Sequence, residues 1–311
     1  MFTIIYATFL VYYLGKNKTL KLLNISQTII LFITFIFSYL YPHISYDSYY
    51  NELLLSSSFA SKNNLAAVMA FGILTGYILI TSKDIIGKSI KTIAFFNIVF
   101  SSFLLFKAGS STSIIICIVP IVIYKVLSVL KFKFNYIYIL LAIHIITYTI
   151  VSGGEKINQF LEKYFHRNIT LTGRVDIWKS ALYAVKQKPF FGYGYGGFWG
   201  FNNEIENHIF SINGGEFVGS HNGFIELLLY IGIIGVILFI ILVILLGYRT
   251  KYIYKNSDIS IKIPTIYISY ILIYFITERS FGALNYQTLI IYLSVIFIDK
   301  CYYKVKKERN S

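Results

Sequence analysis

Along most of the chain the apolar residues come in long unbroken runs rather than in alternation. Runs of about 14–25 such residues, bounded by short charged stretches, read as helices that cross a bilayer, the first of them, 1–14, being short for one. They predict about nine spans, over 1–14, 22–41, 65–82, 92–106, 112–130, 134–151, 222–247, 263–277 and 284–300. Lipid offers no hydrogen bonds, so a spanning segment must satisfy its own backbone, and these runs read as helices. The expected fold class is therefore all-α: a polytopic integral membrane protein with one large extracytoplasmic loop.

The polar stretches between the runs set the orientation. "GKNKTLK", "SKDIIGKSIK", the turn bordered by Lys125, Lys131 and Lys133, "YRTKYIYKNSDISIK" and the tail "KCYYKVKKERN" are all basic. If the spans alternate, all five face one side, and an excess of Lys and Arg marks that side as cytoplasmic. Segments 42–64, 107–111, 152–220 and 278–283 then lie outside. The N-terminus would also be outside, which leads us to expect a further span upstream. The chain divides into N-terminal spans at 1–151, a large outer loop at 152–220, C-terminal spans at 221–300 and a basic cytoplasmic tail at 301–311.

Composition agrees: the chain is 56% hydrophobic and 14% charged, against about 25% charged for soluble domains. A net charge of +14 would suit a nucleic-acid partner, but the basic residues sit in short loops between spans, so none is expected. The start lacks the basic residues and the cleavage site of a secretory leader. Cys117 and Cys301 lie in or beside different spans and imply neither a disulfide nor a metal site.

The long outer loop contains "LTGRVDIWKSALYAVKQKPFFGYGYGGFWGF", Leu171 to Phe201. Thr172 is a candidate N-cap and Pro189 a helix stop. Between them Val175, Trp178, Ala181, Leu182 and Val185 form an apolar stripe, opposite Arg174, Lys179, Lys186 and Lys188. This predicts an amphipathic helix lying on the membrane surface or on the spans. Arg174 would present a guanidinium fork suited to phosphate oxygens. "GYGYGG" formally matches G-x-G-x-x-G, but no strand precedes it, so a dinucleotide site is not expected. A flexible aromatic-glycine loop able to stack on sugar rings fits better.

"GSHNGFIELLLYIGIIG", Gly219 to Gly235, starts a span with polar residues. An ionisable group at a membrane boundary is costly and often functional. On a regular helix Gly232 falls within about 20° of His221 and Gly235 within about 40°. His221 is thus expected above a glycine stripe open to a second helix. Asn222 and Glu226, one turn apart, are expected to bond to each other. Lys62 with Asn63 and Asn64, Lys107 before "GSSTS", and Glu278 with Arg279 mark the outer ends of other spans. Together with Arg174 and His221 they predict a cationic cluster on one side of the membrane, suited to an anionic lipid-linked substrate. No D-x-D pair, H-E-x-x-H, cysteine cluster or G-x-S-x-G elbow is present, so neither metal nor cofactor chemistry is expected.

These stretches resemble the O-antigen ligase and Wzy polymerase superfamily. "TGRVDIWKSALYAVKQKPFFGYGYGGF" is similar to its loop signature, T/S-G-R-x-x-x-W followed by P-x-x-G-x-G. His221-Asn222, nine residues, then Gly232-x-x-Gly235 is similar to its H-N-x9-G-x-x-G pattern, and "FASKNNLAAV" resembles its entry to an early span. One position departs: where the family often has Arg in "SGSRT", Ser111 stands in "KAGSSTS", with Lys107 nearby as a substitute charge.

The resemblance implies a GT-C-like membrane glycosyltransferase in a bacterial cytoplasmic (inner) membrane, with its active site on the extracytoplasmic side. It implies metal-independent, inverting transfer from a polyprenyl-diphosphate-linked oligosaccharide to a growing polysaccharide or another glycan acceptor. His221 would act as general base and Arg174 would bind the diphosphate. Arg279, Lys107, Lys62, Asn222, Glu226, Trp178 and Glu278 would bind substrate, while Gly232 and Gly235 would serve helix packing. A chain-length regulator and a flippase are the implied protein partners, beside the lipid bilayer. Within this frame the expectation is a Wzy-type polymerase of O-antigen, capsular or exopolysaccharide repeat units. The alternatives are an O-antigen ligase acting on lipid A-core and a non-catalytic flippase. Against the flippase stand the motif-bearing loop and the lack of any legible pair of broken helices.

Overall fold

The computed structural model describes residues 2–49, 52–59, 61–82, 87–130, 174–200, 204–212, 219–257, 262–277 and 286–310. The helices are α1 (Phe2–Phe9), α2 (Gly15–Leu40), α3 (Pro42–Ser45), α4 (Lys62–Thr81), α5 (Lys88–Lys107), α6 (Ser111–Val129), α7 (Arg174–Gln187), α8 (Glu204–Ile212), α9 (Gly223–Asn256), α10 (Lys262–Thr277) and α11 (Tyr286–Asn310). Among the described residues five helical stretches are long and apolar enough to cross a membrane: Ile5–Leu40, Lys62–Thr81, Lys88–Lys107, Ser111–Val129 and Gly223–Asn256. The chain is a mostly helical, multi-pass membrane protein.

One expectation changes. The predicted spans 1–14 and 22–41 join in one helical run, with a π-turn at Leu10–Leu14 and a left-handed residue at Gly15, φ +72°. "GKNKTLK" therefore starts α2 rather than forming a loop. The Thr19 hydroxyl donates to the Leu10 carbonyl at 2.7 Å, which supplies a partner within the altered turn. One short hairpin accompanies the helices: Tyr46–Tyr49 (β1) and Glu52–Leu55 (β2) pair antiparallel, Tyr46 opposite Leu55. The expected span 134–151 and the loop from 152 to 173 lie outside the described residues.

The chain forms two compact units. One comprises Met1–Lys133, Arg249–Ile271 and Leu289–Ser311; the other comprises Phe134–Tyr248 and Leu272–Thr288. In the first, α4 is buried almost throughout from Leu65 to Gly76. Its glycines explain how neighbours reach it: a Cβ on Gly76 would sit 2.7 Å from Ile98 of α5, and one on Gly72 would strike Gln27 of α2. Buried polar side chains in these helices find each other. Asn97 donates to Asn24 Oδ1 at 2.9 Å, Gln27 to Ser101 at 3.1 Å, and Thr75 meets the Tyr267 hydroxyl at 2.9 Å. In lipid such pairs are the alternative to unsatisfied polar atoms.

Two turns of this unit carry predicted residues. Lys62 opens α4, whose cap is Ser61, accepting the Asn64 amide at 3.3 Å. Lys107 ends α5, exposed, with its ammonium 6.0 Å from the centre of the Phe103 ring. Ser110 caps α6, and Ser111 is that helix's first, exposed residue.

Candidate active site

The second unit contains the turn Gly219–Asn222 that leads into α9. Asn222 caps the helix: its Oδ1 accepts the amides of Phe224 at 2.9 Å and Ile225 at 3.3 Å, two of the donors a helix start leaves open. The Ser220 hydroxyl donates to the Asn222 carbonyl at 2.8 Å. Two bonds fix the Ser220 backbone from opposite sides. Its carbonyl accepts the Trp178 indole N–H at 2.5 Å, and its amide donates to Glu226 Oε1 at 2.7 Å. Ser220, Asn222 and Glu226 are buried, while His221 between them is partly exposed.

His221 adopts φ +48°, a left-handed conformation held by only one other non-glycine residue among those described, Ser57. A residue with a Cβ is uncommon there and persists where its surroundings over-determine it. The bonds on Ser220 and Asn222 are that determination.

Glu226 was expected to bond to Asn222 through side chains. The two are instead joined only through the helix backbone, Glu226 N–H to Asn222 C=O at 3.0 Å. Asn222 is occupied with the cap, and the Glu226 carboxylate reaches back to Ser220 and sideways to Trp199, whose indole N–H it accepts at 2.9 Å. Trp178, Asn222 and Glu226 were expected to bind substrate; all three are turned inward and hold the turn. The carboxylate also suits the positive end of α9.

Helix α7 begins at Arg174, four positions before Trp178, and stops two residues before Pro189. Its apolar face packs on protein: Ile177, Trp178, Ala181 and Ala184 are buried with Phe198, Trp199 and Ile209, and with Ile225, Leu229 and Tyr230 of α9. Lys179 and Lys186 lie on the exposed face. The Arg174 side chain, Thr172, Glu278 and Arg279 fall outside the described side chains. Lys62 and Lys107 belong to the other unit.

The expected glycine stripe is not a helix–helix seam. Gly232, at φ +65° and ψ −164°, breaks α9. The chain that fills the break is the segment after α7. Ile233 N–H donates to Pro189 C=O at 2.8 Å, Ile234 N–H to Phe190 C=O at 3.4 Å, Tyr193 N–H to Leu229 C=O at 2.6 Å and Gly194 N–H to Tyr230 C=O at 2.9 Å. Backbone meets backbone here: a Cβ on Gly192 would lie 2.5 Å from the Leu229 oxygen, and one on Gly232 would strike the Phe190 carbonyl. Gly235 stays helical, and a Cβ there would strike the Ile231 side chain near its root, 2.8 Å from the Ile231 Cβ. The aromatic-glycine loop expected to be flexible is thus tied at residues 189–194. The Tyr193 hydroxyl donates to the Ala184 carbonyl at 2.9 Å, and burial raises its pKa, which keeps the donor proton in place.

Reading the sequence missed two residues. Trp199 and Glu206 both bear on the turn: Glu206, buried at the start of α8, accepts the Gly200 amide beside the Trp199–Glu226 bond. "GGFWGF" drew notice only for its glycines.

Comparison with known proteins falls on this region. A family model described as "O-Antigen ligase" matches residues 96–240. Over residues 96–240 the chain is similar to the O-antigen ligase/Wzy superfamily. The family match includes Lys107, Arg174, Trp178, His221, Asn222, Glu226, Gly232 and Gly235, and leaves out Lys62, Glu278 and Arg279. An uncharacterised protein of Haemophilus influenzae is 30% identical over 94 residues, which are 30% of this chain and 23% of the relative. The chain therefore spans less than a quarter of that relative's length in the match.

Proposed function

We propose that the protein is a membrane glycosyltransferase that polymerises polyprenyl-diphosphate-linked oligosaccharide repeat units into O-antigen, capsular or exopolysaccharide. The observation that carries this reading is the His221 turn: a partly exposed imidazole on a strained backbone, held by buried neighbours, inside the family-matched segment.

In the proposed reaction the His221 imidazole accepts the proton of an acceptor sugar hydroxyl as general base. The freed oxygen attacks the anomeric carbon of the donor from the side opposite the diphosphate, so configuration inverts. The anomeric C–O bond breaks, and the polyprenyl diphosphate leaves with the electron pair. Its growing charge needs fixed cations. Arg174, at the head of α7, supplies a bidentate guanidinium; Arg279 is proposed to assist it, with Glu278 orienting Arg279. No metal or cofactor enters this scheme. The active site faces the extracytoplasmic side of the inner membrane, with a flippase delivering the donor and a chain-length regulator as partner.

A second reading is favoured by the description of the matched family: an O-antigen ligase that moves a finished glycan to lipid A-core or another acceptor. One experiment separates them. His221→Asn and Arg174→Ala are placed in the native host, protein level is followed by blot, and surface glycan is resolved as a ladder. Collapse to single repeat units supports polymerisation. Long chains that stay on the lipid carrier support the ligase. A normal ladder in both variants sinks both readings.

A further inference from the structure

We infer that Glu226 is a positioning residue for His221, fixed in turn by Trp199, and that it takes no direct part in binding or proton transfer. The inference rests on the reading of His221 as the base.

Glu226 has no exposed surface, and each of its carboxylate oxygens is bonded: Oε1 to the Ser220 amide at 2.7 Å and Oε2 to the Trp199 indole at 2.9 Å. A group so enclosed cannot reach a sugar hydroxyl. What it touches is the residue immediately before His221. The left-handed backbone at His221 is one that residues with a Cβ seldom adopt, and the Ser220 amide would be a buried orphan without the carboxylate. The same bond that satisfies Ser220 therefore holds His221 in its unusual conformation. Trp178 acts on the other side of Ser220, so the peptide is gripped at both its N–H and its C=O.

The chemistry requires Glu rather than Gln. Both partners are N–H donors, so both side-chain atoms must accept. In Glu226→Gln the amide nitrogen would face one of those donors, and either Ser220 or Trp199 would lose its bond. Trp199→Phe makes the complementary change, leaving Oε2 without its donor while the aromatic packing against Phe198 is largely kept. Fixation runs in a chain: Trp199 orients Glu226, Glu226 fixes Ser220, and Ser220 sets His221.

The test uses the full chain in lipid nanodiscs, as Glu226→Gln, Trp199→Phe and the control Glu204→Gln, whose side chain is exposed on α8. Two rates are measured. One is modification of His221 by diethyl pyrocarbonate, read by mass spectrometry on the peptide that contains it; the other is transfer from a polyprenyl-diphosphate repeat unit. Positioning predicts that His221 modification rises about threefold or more in both variants as the turn opens locally. It also predicts that kcat falls on the order of tenfold with KM little changed, and that Glu204→Gln matches the parent. Unaltered His221 modification in well-folded variants overturns the inference, whether or not transfer falls. If modification rises while transfer stays normal, positioning stands and His221 as base falls. Should Glu226→Gln fail to fold, Trp199→Phe, which keeps the carboxylate, decides.

Discussion

The amide of Ile233 donates to the carbonyl of Pro189 at 2.8 Å, joining the middle of a membrane-length helix to the loop that follows α7. It is one of four backbone bonds by which residues 189–194 fill the break at Gly232. Irregular backbone is tolerated at membrane depth only where other protein satisfies it. The P-x-x-G-x-G stretch therefore works as the missing turn of α9.

Gly232 and Gly235 should respond differently to alanine, although they look equivalent in sequence. Gly232→Ala places a Cβ against the Phe190 carbonyl in a backbone region that favours glycine. A loss of about 1–3 kcal/mol from strain alone is expected, with the clash adding to it. Gly235→Ala keeps a helical backbone, but its Cβ would lie 2.8 Å from the Ile231 Cβ, so Ile231 must shift; a loss of about 1–3 kcal/mol from overpacking is expected, without the backbone strain of Gly232. Unfolding midpoints of the purified variants check this.

Gly192→Ala should destabilise for the same reason from the other side of the contact, since its Cβ would lie 2.5 Å from the Leu229 oxygen. Once either glycine is replaced the clasp is already disturbed. The Gly192→Ala/Gly232→Ala double variant is then expected to lose less than the two single losses combined, by about 0.5–3 kcal/mol. Strict additivity in the double-mutant cycle would show that the two glycines do not share one contact.

Trp178→Phe should keep most of the packing and remove the indole donor to Ser220. A buried carbonyl left unpartnered costs about 1–3 kcal/mol. Because that carbonyl belongs to the residue before His221, transfer activity should fall more than stability does. Equal, small effects on both would reduce Trp178 to a packing residue.

Asn222→Ala removes the cap of α9 and should cost about 1 kcal/mol, whereas Asn222→Ser should retain much of that. A substrate-binding Asn222 would show a raised KM with unchanged stability; a capping Asn222 shows the reverse. Thermal unfolding and KM measured on the same preparations distinguish them.

Hydropathy made the membrane-length helices α4, α5 and α6 legible to within a few residues, because long apolar runs in lipid leave the backbone few choices. The face of α7 was legible too, since Trp178, Ala181, Leu182 and Val185 follow helical spacing; the structure adds Ile177 and Ala184. The N-terminal loop was misread because local charge in "GKNKTLK" signals a membrane boundary but does not end a helix. The break at Gly232 was hidden for a different reason. Helical spacing assumes that the helix continues, whereas the partner that lets it stop lies in Pro189–Gly194, far away in sequence. Glu226 was read by its distance from Asn222 along one helix, while its actual partners, Ser220 and Trp199, come from the preceding turn and the segment after α7.

The central claim is that the His221 imidazole takes the acceptor proton, and its most direct measurement is single-turnover transfer by purified His221→Asn. Asn tolerates the left-handed backbone, so this variant removes the base and spares the turn. With enzyme sites in excess over donor and folding verified, the account predicts a loss of about 10²–10⁴-fold in rate with donor binding unchanged. A His221→Asn protein that transfers glycan at the parent's rate would contradict it.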